Sequence, residues 1–298
     1  MNTFAAPASD RAHATAIFIG LLAALAGLMF GLDIGVISGA TQFIRHDFAI
    51  DDHTIELIVS SMMAGAAIGA LIAGFLSAQL GRKRSLIIAA ILFVIGSVLS
   101  AVAPSSDSLI GARVVLGFAI GIATFTAPLY LAEISSERSR GAMVSTYQLM
   151  ITIGILIAFL SDTAFSYSGN WRWMLGVIAI PGALFLLGVV TLPESPRWLV
   201  MRGFRARATT VLALLRGGAN VQRELAEIEA QLKTPQSGLR LFFENKNFRR
   251  SVGLGIVLQV MQQFTGMNVV MYYAPIIFKD MGYATEQQMW FTALVGLI

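Results

Sequence analysis

QVMQQFTGMNVVMYY, residues 259–273, lies inside an apolar run from Val252 to Phe278. That run is long enough to cross a bilayer as a helix. Gln259, Gln262, Gln263, Asn268, Tyr272 and Tyr273 therefore bring amides and phenols to membrane depth. Each unmade hydrogen bond there costs several kcal/mol, and an uncharged ligand rich in hydroxyls would satisfy them. At about 100° per residue, Gln259, Gln262, Gln263, Gly266 and Tyr273 share one arc of an ideal helix, with Asn268 on nearly the opposite side. Gly266 stands between the two groups. Glycine tolerates the dihedrals of a helix break, so a break near Gly266 is expected to turn Asn268 back toward the glutamines. The competing reading is that the amides only bond neighbouring helices. Adjacent glutamines followed by Asn and paired Tyr favour a ligand site.

The rest of the chain supports a membrane setting. Its 298 residues are 56% hydrophobic and only 13% charged, with a mean hydropathy of +0.73, which marks a polytopic all-α membrane protein. The net charge of +4 does not point to nucleic acid, because the basic residues are not gathered on one soluble module. With no cysteine, disulfides, thiol catalysis and thiolate metal sites are excluded. The three histidines, His13, His46 and His53, flank the first apolar run in loops, which argues against a histidine proton relay or a His-ligated metal. No Ser/His/Asp, Cys/His or metal-ligand set falls inside the membrane, so an enzyme is not expected. The first run reads as a retained span, not a removed signal peptide.

Apolar runs fall at about 14–38, 55–79, 85–104, 107–131, 142–162, 172–192, 250–278 and 288–298. The last is eleven residues long, too short to cross, and the sequence is expected to be C-terminally truncated. Sixteen Lys and Arg residues lie in the loops on one side and only Arg45, Arg172 and Lys279 on the other, which predicts a cytoplasmic N-terminus. Three units are expected: a six-span bundle over 1–192, a cytosolic helical linker over 193–249, and the start of a second bundle over 250–298. In the linker, 206–216 and 222–233 read as helices; Leu225, Ile228 and Leu232 mark the apolar side of the second. Six spans, a hinge and a second bundle form the layout of a two-halved transporter. Gly65, Gly69 and Gly74 of span 2 and Gly117 and Gly121 of span 4 read as close helix packing.

Asp33 lies within FGLDIGVISG of span 1, where a carboxylate is costly and functional by default. The cation expected at similar depth is Arg113 of span 4; at 1.5 Å per residue both lie roughly 8 to 9 Å below the outer surface. Burial and a nearby guanidinium push a carboxyl's proton affinity in opposite directions, so a pair that opens and closes would load and release a proton. The alternative is a static bridge that fixes two helices. Gln148 of span 5, with Thr152 one turn on, is a candidate for the wall facing the amide cluster. Gly81, Arg82 and Lys83, then Glu133, Arg138 and Arg140, then Pro193 to Trp198 stand at the inner ends of spans 2, 4 and 6. They read either as ion pairs that lock the inner face or as simple basic anchors.

Together these residues carry a likeness. GLDIGVISGA (31–40), LGRKRS (80–85), Arg113, APLYLAEISSERSRG (127–141), YQLMITIGIL (147–156), WRWM (171–174), PESPRW (193–198) and QQFTGMNVVMYYAP (262–275) resemble the sugar porter family of the major facilitator superfamily. The likeness runs from about Ala14 onward. It implies a proton-coupled, alternating-access carrier of a monosaccharide, a hexose such as galactose or glucose, in a bacterial inner membrane. It makes Gln148, Gln262, Gln263 and Asn268 sugar ligands, with Phe30 and Tyr273 lining the cavity and its outer gate. It makes Asp33 the proton acceptor and Arg113 its partner; family uniporters lack that acid. Gly81, Arg82, Glu133, Arg140, Glu194 and Arg197 would form the inner charge network. Where the family's loop motif carries an acidic and then a basic residue ahead of its glycine, this chain has Ala78 and Gln79. The coupling ion is the proton and no prosthetic cofactor is implied; the partners are the sugar and the bilayer, and a monomer is expected. A facilitated uniporter or a non-transporting sugar sensor is the alternative.

Overall fold

The computed structural model describes residues 8–217, 221–233 and 242–297, with side chains from Ala14 onward except that of Lys233. The linker residues 218–220 and 234–241, and Ile298 of the last apolar run, lie outside the described residues. All regular structure among those described is helical. The long helices are α1 (Ala8–Phe48), α2 (Asp52–Leu80), α3 (Arg82–Ala101), α4 (Ser106–Ile134) and α5 (Arg140–Ser166). A sixth span is shared by α6 (Trp171–Val177) and α7 (Ala179–Thr191). Short helices α8 (Pro196–Met201), α9 (Arg205–Arg216) and α10 (Val221–Lys233) precede α11 (Lys246–Phe264), α12 (Met267–Asp280) and α13 (Thr285–Leu297). Among the described residues, seven stretches are long and apolar enough to cross a membrane, α11 and α12 counting as one.

Helix boundaries follow local chemistry more than hydropathy. The first run was placed at 14–38, yet α1 continues to Phe48. Asp47 in its last turn accepts hydrogen bonds from Trp171 Nε1 at 3.0 Å and Arg172 Nη1 at 2.8 Å, which anchors that end. Arg45 and His46 there also suit a helix C-terminus. The sixth span is interrupted at Ile178, because Pro181 has no N–H to give to the preceding turn. α11 begins at Lys246, a few residues before the expected position 250.

Helix α1 lies at the centre of the bundle and rests on α5 over most of its length. Gly27, Gly31, Gly35 and Gly39 recur every four residues along this contact. A Cβ on them would run into the Tyr147 carbonyl, the Ile151 carbonyl, the Ala158 side chain and the Asp162 carboxylate respectively. Close backbone approach of this kind is how membrane helices gain dispersion contacts without a hydrophobic driving force. The α2–α4 pair uses the same device: Gly65 and Gly69 face the Val114 and Phe118 carbonyls, and Gly117 and Gly121 face those of Met62 and Ala66. Gly74 meets only the Phe125 ring. At the arginine-rich end, Trp198, Leu199, Ala208, Leu212, Val221, Leu225 and Ile228 form a separate small core from α8, α9 and α10. Leu232, expected on the apolar side of α10, is exposed instead.

Candidate functional site

The break at Gly266 shapes the site. Gly266 has φ +71° and ψ 8°, a left-handed conformation that ends α11 at Phe264 and starts α12 at Met267. Across it, Asn268 Nδ2 donates to Gln263 Oε1 at 3.2 Å, while Gln259 Nε2 donates to Gln262 Oε1 at 2.6 Å. The break thus turns Asn268 back onto the glutamine face, and the amides orient one another.

Gln259, Gln262, Gln263 and Asn268 form one wall of a cavity of about 660 Å³. Phe30 and Ile34 of α1, Tyr147, Gln148 and Thr152 of α5, Thr124 of α4 and the end of α13 complete its lining. That volume, with an apolar and aromatic lining and a few convergent amides, is the make-up of a small-molecule site. α11 buries none of its residues against the rest of the chain, so its apolar back, including Leu254, Val257 and Leu258, requires lipid or further protein. Tyr273 does not reach this cavity. It lines a separate pocket of about 200 Å³ with Thr41, Gln42, Arg45, Asp52, Glu56 and Lys279, at the far end from the arginine-rich face.

Asp33 sits one turn along α1 from Phe30 and points away from the cavity, toward α4. Arg113 Nη1 donates to its Oδ1 at 2.5 Å, and both side chains are fully buried. Asp33 Oδ2 and Arg113 Nε and Nη2 have no partner among the described residues. The Tyr272 hydroxyl is also buried and has no hydrogen-bond partner among the described residues. The sequence reading noted Tyr272 only as a polar residue at depth and assigned the functional role to its neighbour. The signal was the i, i+4 spacing from Asn268, which sets the two on one face of α12.

At the arginine-rich face, four of the six residues expected in a charge network come together. Arg82 makes a bidentate pair with Glu133, Nε to Oε2 at 2.7 Å and Nη2 to Oε1 at 2.8 Å. Glu194 Oε1 accepts the backbone N–H groups of Arg82 at 2.9 Å and Lys83 at 3.1 Å, capping α3 from across the chain. Gly81, at φ +99°, leaves the room that carboxylate occupies, since a Cβ there would collide with Glu194. Arg140 and Arg197 stand apart. Arg140 Nε donates to the Ala132 carbonyl at 3.0 Å, and neither arginine has an ion pair among the described residues. Both line a cavity of about 460 Å³ with Arg216 and Glu224. Arg202 was missed by sequence reading. Its Nη2 donates to the Ala78 carbonyl and the Gln79 carbonyl and side chain, tying the end of α8 to the last turn of α2.

A membrane-spanning bundle around an amide-lined chamber, with one buried acid–guanidinium pair beside it, defines the chain as a carrier-type transporter fold. The profile of the "Sugar (and other) transporter" family matches residues 19–298, and the chain belongs to that family. It is 61% identical over 286 residues to the galactose-proton symporter of Escherichia coli K12, covering 95% of this chain and 62% of that protein. The arabinose-proton symporter of the same strain is 59% identical over 283 residues, covering 94% and 60%. Among solved structures, the major facilitator proton:xylose symporter XylE bound to 6-bromo-6-deoxy-D-glucose superposes with a TM-score of 0.86 at 31% identity, covering 95% of this chain and 66% of that one. The partially occluded inward-open XylE of E. coli gives 0.82 at 30% identity, covering 95% and 70%. The architecture is therefore that of the major facilitator superfamily, and the chain spans about 62% of the length of the first curated relative.

Proposed function

We propose that the chain forms the sugar-binding and proton-coupling part of a monosaccharide–proton symporter. The observation that carries this reading is the convergence of Gln148, Gln262, Gln263 and Asn268 on one cavity beside the buried Asp33–Arg113 pair. Amides offer both donors and acceptors, which suits sugar hydroxyls and leaves ions and lipids poorly served. Phe30 supplies an apolar surface for a pyranose face. Tyr273, at the opposite end from the basic loops, acts at the outer gate. The close relatives are named for galactose and arabinose, so a hexose such as galactose, or a pentose, is the substrate class. Protons are the coupling ion and no prosthetic group takes part. The protein resides as a monomer in a bacterial inner membrane with its N-terminus in the cytoplasm. Residues 1–192, 193–249 and 250–298 serve as first bundle, cytosolic linker and start of the second bundle. The contacts of Gly81, Arg82, Glu133 and Glu194 brace the inner face, and Arg140 and Arg197 complete its charge network when the halves meet.

Uptake of labelled hexoses by the full-length protein, with and without a protonophore, tests the reading. Asp33→Asn abolishes uphill accumulation and leaves counterflow exchange; accumulation that persists in this variant overturns the coupling role and favours a uniporter.

A further inference from the structure

Helix α5 carries a second intramembrane carboxyl that neither the cavity nor the Asp33–Arg113 pair uses. Asp162 is 1% exposed. Its Oδ2 accepts the backbone N–H of Gly39 at 3.1 Å, and its Oδ1 has no partner among the described residues. The helices packed against α5 are α1, α4, α6 and α13. On the halves flanking Asp162 they carry Asp33, Arg45, His46 and Asp47, then Asp107 and Arg113, then Arg172, then Glu286. The three arginines are committed elsewhere, Arg113 to Asp33, Arg172 to Asp47 and Arg45 to Asp52. Among the described residues Asp162 has no ion-pair partner, and the Gly39 N–H is the hydrogen-bond donor it has.

A bare carboxylate with one satisfied oxygen and no counter-charge is among the most expensive groups a membrane interior can hold. A proton on Oδ1 removes the charge and turns an orphan acceptor into a donor. We propose that Asp162 is a second proton-carrying carboxyl of this bundle, separate from Asp33, with the proton on Oδ1 and the Gly39 N–H on Oδ2. The proton comes from hydronium in the water that reaches this end of α5 when α1 and α5 part; the hydronium O–H bond breaks as the new O–H bond forms on Oδ1, and a water molecule is left. Gly39 is the last of the four glycines that let α1 lie on α5, so the neutral acid keeps the outermost rung of that contact closed. Asp33 faces α4 on the other side of α1, and the two acids are loaded independently.

The test is infrared spectroscopy of the full-length protein in lipid vesicles, with 13C confined to aspartate. In an Asp33→Asn background, a label-sensitive protonated-carboxyl C=O band is expected at neutral pH and is lost in the Asp33→Asn/Asp162→Asn double variant. Identical spectra for the two overturn the proposal. Where the amide is not tolerated, Asp162→Glu carries the comparison, since glutamate is unlabelled and the aspartate band then disappears. Absence of any label-sensitive band in the unsubstituted protein overturns the proposal with no variant at all. The readout is independent of transport, so it stands or falls apart from the symport reading.

Discussion

Gln262 has its Oε1 taken by Gln259 Nε2, so what it can offer a ligand is its own amide donor pair. Gln262→Ala removes that donor and is expected to weaken sugar binding by about 1 to 3 kcal/mol, the cost of leaving buried hydroxyls unmatched. Equilibrium binding of labelled sugar checks this; an unchanged affinity returns Gln262 to a role between helices. Residue types at depth were readable without coordinates, because an amide or a carboxyl in an apolar run is conspicuous on cost alone. Their directions were not. Tyr272 and Tyr273 are adjacent in sequence, yet one is buried with its hydroxyl unpartnered among the described residues and the other lines a separate pocket. Asp162 escaped notice because the apolar run was ended at that residue, placing it at the water boundary; α5 continues to Ser166, and Asp162 lies within it.

Helix–helix contact is decided by where backbones can meet. Gly31 rests on the Ile151 carbonyl, and Gly154 of α5 returns the contact against the Leu28 carbonyl of α1. Gly31→Val inserts three carbons where one does not fit, and an overpacking cost of about 1 to 3 kcal/mol is expected. Thermal unfolding in detergent measures it, with Gly111→Val as control, since a Cβ at Gly111 meets nothing within 4 Å. Equal Tm losses in the two variants rule out the contact as the cause. Hydropathy located every span but misjudged several ends. Charged side chains at a helix terminus look like loop in a hydropathy profile, yet Asp47 extends α1 through tertiary bonds to α6 that no local pattern contains. The break at Gly266 was legible, because glycine between two polar sets has a direct backbone meaning.

At the scale of the whole molecule, α8, α9 and α10 stand between the first six spans and α11. The joint is held by Glu194 on the start of α3, Trp198 Nε1 on the Ala78 carbonyl at 2.9 Å, and the Arg82–Glu133 pair. Arg82→Met strands Glu133, whose side chain is 9% exposed, and a loss of roughly 3 kcal/mol is expected. Adding Glu133→Gln should recover part of it, because the uncompensated charge is gone; a double-mutant cycle on Tm shows whether the two couple. Additive losses exclude the pair as a unit. Asn268 and Tyr272 are one turn apart on a half-helix whose first turns contain no proline. Side chains one turn apart share a helix face, so a swivel of this segment that carries Asn268 carries Tyr272 with it. The chamber wall at Asn268 and the buried hydroxyl of Tyr272 are thus mounted on a single lever that begins at Gly266.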